Sequence, residues 1–173
     1  MKIQCDKTSL VNVMKIILRA IPKKTTNPIL ECVLIDADNS GIRMTSNDLE
    51  MCINTMMDGT VIEPGSVAID ANMLNNIAMK LPNASIKIET DIDATSVKIS
   101  AGKSKFNIPC KSADDFIGMP PYQEGTSITV PQDDLRDLIL SVAFCSNPND
   151  NNAMITGCNL EINGNMLSLC GLD

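Results

Sequence analysis

The sequence contains no histidine. That absence removes the commonest general base and the commonest metal ligand, so an enzymatic reading begins without its usual groups. No CxxC pair occurs among the seven cysteines (5, 32, 52, 110, 145, 158 and 170), and their number is odd. They sit mostly in apolar, strand-like runs, which fits buried reduced thiols of a cytosolic protein better than a disulfide scaffold. No apolar run approaches the roughly 18 to 20 residues a bilayer span needs. Lys15 and Arg19 interrupt the apolar stretch 11–21, against a secretory signal. No phosphate-binding glycine loop is present, and no serine or cysteine has a histidine to activate it, so an enzyme with a cysteine nucleophile ranks last among the readings.

What is there suffices for a core: 44% of the 173 residues are apolar and 20% charged. Fourteen basic residues against twenty-one acidic ones give a net charge of −7, an average that argues against a nucleic-acid partner. The average conceals a sorted distribution. Residues 7–30 hold Lys7, Lys15, Arg19, Lys23 and Lys24 with no acid, whereas 31–63 hold seven acids and only Arg43. Screening acts over about 8 Å at physiological salt, so such a cluster keeps its own sign.

Periodicity organises the chain. Residues 2–6 read as a strand, followed by a helix with Leu10, Val13, Met14, Ile17 and Leu18 on one face, Asp6 as its N-cap and Pro22 at its end. Lys15 and Arg19 fall on the opposite face. Residues 29–37, 42–45 and 49–61 read as strands. After Glu63-Pro-Gly65 the order returns: strand 66–69, helix 72–80, then strands 85–89, 95–99 and 104–108. The spacing thus predicts an α+β domain of two β-α-β-β-β halves over residues 1–120, then a linker at 121–127. From 128 to 173 a second repeat aligns without gaps at an offset of 125, with Ile3 meeting Ile128, Leu10 meeting Leu135, Met14 meeting Ile139 and Val33 meeting Cys158. On this reading the chain covers about 48 residues of an incomplete second unit, which leaves an unpaired sheet edge and an uncovered helix face.

Short motifs run in order along the whole chain: Met1-Lys-Ile3, Asn27-Pro-Ile-Leu30, Thr45-Ser-Asn-Asp-Leu-Glu50, Glu63-Pro-Gly65, Lys80-Leu-Pro82, Ser100-Ala-Gly-Lys-Ser-Lys-Phe106, Ser112-Ala-Asp-Asp-Phe116, Val130-Pro131 and Gly157. In these the sequence resembles the bacterial DNA sliding clamps, the beta subunits of DNA polymerase III. The resemblance implies a DNA-clamp fold with helices lining the inside and sheets outside. It also implies a head-to-tail homodimeric ring of three-domain chains around duplex DNA, of which this chain matches the first domain and the opening of the second. The Gly-x-Arg that follows in the family lies beyond Asp173.

By resemblance, Lys24 and Asn149 match DNA-touching positions, and Lys15, Arg19 and Lys23 extend the basic set along the helix and loop. With no interleaved aromatic, such a set suits phosphate contact without base readout; lysines on an exposed helix face are equally what ordinary solvation produces. Met73, Phe106 and Ile108 match the dimer interface, although residues 102–108 alone read as a half-buried edge strand with gatekeeper lysines. Ile155 and Leu172 match walls of the pocket that takes peptides from polymerase III subunits, the clamp loader and other clients, yet as bare sequence they are ordinary core residues. The acid pairs Asp91/Asp93, Asp114/Asp115 and Asp133/Asp134 sit in turns and helix starts, where capping accounts for them. The expectation is a cytoplasmic, nucleoid-associated, non-enzymatic processivity clamp with no cofactor, no metal and no membrane contact. The rival is a protein-interaction or inhibitory α+β module that never encloses DNA.

Overall fold

A computed structural model describes residues 1–91, 95–119, 125, 127–147, 150–152 and 154–172. The chain divides into two units, Met1–Pro121 and Tyr122–Asp173.

The first unit opens with strand β1 (Lys2–Cys5) and helix α1 (Lys7–Ile17), the latter continued by a 3₁₀ turn at Leu18–Ala20. Leu10, Val13, Met14 and Ile17, three and four apart, are all buried, while Thr8, Asn12 and Lys15 stay in solvent. One stripe of the helix therefore faces the core. Asp6 holds the N-cap position with extended backbone, as its place in the sequence predicts, although its side chain makes no capping hydrogen bond.

Strands β2 (Cys32–Asp38), β3 (Gly41–Asn47) and β4 (Cys52–Met57) follow as an antiparallel meander. The expected single strand 49–61 is two strands. It breaks at Asp58, and β5 (Gly59–Glu63) leaves β3 to pair with β1. Gly59 is required there. A Cβ would lie 2.7 Å from both the Gln4 carbonyl oxygen and Ile42 Cδ1. The second half repeats the pattern with β6 (Gly65–Asp70), α2 (Ala71–Lys80), β7 (Ile86–Thr90), β8 (Ser96–Ala101) and β9 (Ser104–Lys111). Here the cap is made: Asp70 Oδ1 accepts the Met73 N–H at 2.7 Å.

These strands form one sheet in the order β4-β3-β2-β6-β9-β8-β7-β1-β5. The order is nearly palindromic. The first strand of each half crosses into the other half's meander, β6 beside β2 and β1 beside β7. The last extended segment of each half switches partner midway. Residues 104–109 of β9 pair with β8 and Cys110–Lys111 with β6, just as β4 pairs with β3 and β5 with β1. Both helices lie against the core so formed, which gathers Ile3, Leu10, Met14, Ile17, Ile35, Ile42, Met44, Ile69, Leu74, Ile86, Ile88 and Ile99, each fully buried.

In the second unit, helix α3 (Gln132–Val142) and the 3₁₀ turn Ala143–Cys145 stand at the offset of 125 from Lys7–Ile17 and Leu18–Ala20. Strands β10 (Cys158–Asn163) and β11 (Met166–Gly171) form an antiparallel hairpin, the counterpart of β2–β3. Residues 127–131, which align with β1, form no strand. The expected linker 121–127 and the turn at Asp93 lie largely outside the described residues.

Candidate nucleic-acid interface

The helix layer of the first unit is free of acid. Neither α1 nor α2 contains an Asp or Glu. Lys15 on α1, Arg19 on the 3₁₀ turn, and Lys23 and Lys24 on the loop after it are all exposed, and none forms an ion pair among the described residues. Helix α2 adds exposed Lys80 in its last turn, beside exposed Asn72 and Asn76. Lys80 escaped the sequence reading because it stands alone among apolar and amide residues. The signal that would have found it is the internal repeat, which makes α2 a second copy of the basic helix.

Not every cation of residues 7–30 is available. Lys7 turns its ammonium back onto the C-terminal turn of α2 and donates to the carbonyls of Met79 at 3.1 Å and Leu81 at 2.5 Å. It satisfies orphan acceptors and the negative end of that helix dipole.

The motif Thr45-Ser-Asn-Asp-Leu-Glu50 anchors this layer. Thr45, Ser46 and Asn47 are the buried polar residues among those described. Ser46 Oγ donates to the Ile17 carbonyl at 2.8 Å, closing the end of α1, and Asn47 Nδ2 donates to the carbonyls of Ile117 at 2.9 Å and Gly118 at 3.3 Å. Asp48 Oδ1 accepts the Glu50 and Met51 N–H groups, which turns the chain through Leu49 at φ 74°.

Acid sorting holds for only one half of the sheet. Lys87, Lys98 and Lys105 are exposed on neighbouring strands of the second half, next to an ion pair of Lys2 with Glu89 at 2.8 Å. The outer face is thus acidic over β2–β5 and basic over β7–β9. The signal lies in residues 80–111, where Lys80, Lys87, Lys98, Lys103, Lys105 and Lys111 outnumber Glu89, Asp91 and Asp93.

Of the remaining candidates, Phe106 is 37% and Met73 40% exposed. Ile108 is only 6% exposed and belongs to the core. Among the described residues, Ser104–Pro109 pairs on one side only, with β8, leaving its other backbone edge open. In the second unit Ile155 is half-buried, its carbonyl accepting the Asn147 N–H at 3.1 Å, and Leu172 is 64% exposed just past β11. Asn149 lies outside the described residues. One member of each acid pair is engaged locally: Asp91 accepts from the backbone and hydroxyls of Thr95 and Ser96, Asp114 is tied to Ser112, and Asp133 pairs with Arg136 at 3.2 Å, while Asp93 lies outside the described residues. Among the described residues no group of three His, Cys, Asp or Glu side chains is placed to hold a metal. Among the described residues no helix is long and apolar enough to cross a membrane.

Comparison with known proteins agrees with this architecture. Residues 1–120 match the family model of the DNA polymerase III beta subunit, N-terminal domain. The beta sliding clamp of Bacillus subtilis is 30% identical over 170 residues, covering 94% of this chain and 45% of that protein, and that of Synechocystis is 26% identical over 180 residues. Among solved structures, a protein described as a DNA polymerase III beta subunit from Eubacterium rectale superposes with a TM-score of 0.91 at 41% identity. The Bacillus subtilis sliding clamp superposes at 0.92 and 28%; each match covers all of this chain and 47% of the other. The chain spans a little under half the length of these relatives, and it belongs to the DNA polymerase III beta-subunit family, that of the beta sliding clamps.

Proposed function

We propose that this chain supplies one domain and the start of a second to a ring that encircles duplex DNA and tethers the replicative polymerase. The observation that carries the reading is the acid-free helix layer of a chain of net charge −7, with Lys15, Arg19, Lys23, Lys24 and Lys80 exposed and in no ion pair among the described residues. Cations held by helices and the loop after α1, with no side chain built to enter a groove, suit phosphates at any sequence. Each phosphate neutralised contributes a slope near −0.9 in log K against log salt, so a handful of contacts binds weakly and releases easily. Enclosure then supplies retention, and the tether turns each dissociation of the polymerase into rebinding at high effective concentration. The ring has no reaction to catalyse; its role is cytoplasmic, at the nucleoid.

The finer assignments follow from the same reading. Asn149 joins the DNA-facing set. The open edge of β9, with Phe106 and Met73, meets a partner subunit in a homodimer, Ile108 holding the strand from within. Ile155 and Leu172 contribute to a pocket for short peptides of polymerase subunits and the clamp loader.

The test is topological. The full-length form, loaded on a nicked circle, stays bound through gel filtration, and cutting the circle once releases it. Equal retention on circle and line would refute the ring. A second measurement addresses the surface: K15E/R19E/K24E lowers the slope of log K against log salt by about 3. An unchanged slope would remove these residues from the interface.

A further inference from the structure

We propose that Cys145 and Cys158 form a disulfide site, closed by peroxide and reopened by thiols, at the base of the β10–β11 hairpin. The geometry turns on Gly171. It stands directly opposite Cys158 across the hairpin. A Cβ built on it would lie 3.0 Å from Cys145 Cβ and 3.6 Å from Cys158 Sγ. The Val142 carbonyl oxygen is nearer still, at 2.7 Å, so the site tolerates only glycine. The two cysteines, one ending the 3₁₀ turn after α3 and one beginning β10, both close in on the face of Gly171 that carries no side chain. Both are partly exposed, so a small oxidant reaches them.

The other thiols are set apart by place. Cys170 is exposed but pairs with Asn159 and, being adjacent to Gly171 in a strand, projects to the opposite face of the hairpin. Cys5, Cys32, Cys52 and Cys110 belong to the first unit. Burial pushes all four thiols up, Cys5 to about 11, which starves them of thiolate.

The chemistry balances with hydrogen peroxide as oxidant. One thiolate attacks the O–O bond and becomes a sulfenic acid, the other oxygen leaving as water after protonation. The second thiolate attacks that sulfur, the S–S bond forms, and the hydroxyl departs as a second water. Two electrons pass from the sulfurs to the peroxide, and a dithiol returns them. The bond closes the 145–158 loop and ties the 3₁₀ turn after α3 to the start of β10, opposite Gly171.

The experiment is a thiol map of the 173-residue chain. It is exposed to hydrogen peroxide at neutral pH without denaturant, quenched with catalase, unfolded in acidic urea with N-ethylmaleimide, digested and read by mass spectrometry. The expected result is one dominant cross-linked peptide joining Cys145 to Cys158, abolished by dithiothreitol and retained in C170S. The same treatment in urea from the outset yields a mixture of pairings. Native chain in which both cysteines carry maleimide, in which they stop at sulfinic or sulfonic acid, or in which either pairs with Cys170 would overturn the site. C145S and C158S each lose the cross-link; should either unfold, the wild-type map decides alone.

Discussion

Lys7 and Lys15 lie on the same helix and do different work. Lys7 is spent on the carbonyls of Met79 and Leu81. Replacing it with Met removes charge-assisted hydrogen bonds and should cost about 1 kcal/mol of stability. Its effect on the salt dependence of DNA binding should be nil, whereas Lys15→Met reduces that slope and leaves the urea midpoint in place; the two measurements separate structural from phosphate-facing lysine. Asp91 shows the same economy among the acids. Hydrogen bonds from the Ser96 side chain and backbone, and from Thr95, hold its carboxyl below the usual range. The unfolded chain therefore takes up the proton first as pH falls. The contribution stands in full above the ordinary aspartate value of about 4 and is lost as pH drops through the folded one. Asp91→Asn should flatten the stability profile below the ordinary aspartate value of about 4, read by urea titration at each pH. Glu89 behaves alike through Lys2, and Lys2, whose own pKa is raised by Glu89, keeps its share until pH rises past the ordinary lysine range.

Among elements, those with a single apolar stripe are legible in the sequence and those that change partner are not. Leu10, Val13, Met14 and Ile17 announce α1 by spacing alone, and the Asn39-Ser40-Gly41 turn announces the β2–β3 hairpin. The break at Asp58 is hidden because the alternation of β4 runs on into β5; what changes is the neighbouring strand, which periodicity does not encode. The Asp58-Gly59 pair was the available signal. Gly59→Ala places a methyl against Gln4 and Ile42 and should cost about 1–3 kcal/mol, seen as a lower urea midpoint at unchanged slope. Strand β9 outruns its reading for a related reason. Pro109 has no N–H to give and looks like a stop, yet at an open edge no partner needs one, and the strand continues to Lys111. In the candidate site, Lys15, Arg19, Lys23 and Lys24 were visible as a run of like charge. The burial of Ile108 was not, because an edge strand that also packs against a helix layer reads like one that does not.

At the scale of the whole molecule the two units differ in how much they enclose. The first buries a core drawn from both helices and from β1–β4 and β6–β9, with half-buried Val61 of β5 packed against it. In the second, α3 has no buried residue, and Ile139, Leu140, Phe144, Leu160, Ile162 and Met166 are exposed. At low protease concentration cleavage should fall first within 122–173 and leave a resistant fragment near residues 1–119; intact-mass analysis of the time course checks this, and early cuts inside β1–β9 would contradict it. The repeat was legible at this scale because helix and 3₁₀ turn recur at one fixed spacing. The exchange of first strands was not, since it is a matter of which half each strand joins.

That exchange bears on how the chain is made. Strand β1 leaves the ribosome ahead of the other strands of the first unit, but its two neighbours, β5 and β7, emerge only some 55 to 90 residues later. Ile3 and Cys5 stay unsheltered through most of the synthesis of the first unit. Contacts between such distant residues slow folding. Neither half can mature ahead of its sibling, so assembly of the first unit awaits the arrival of β9.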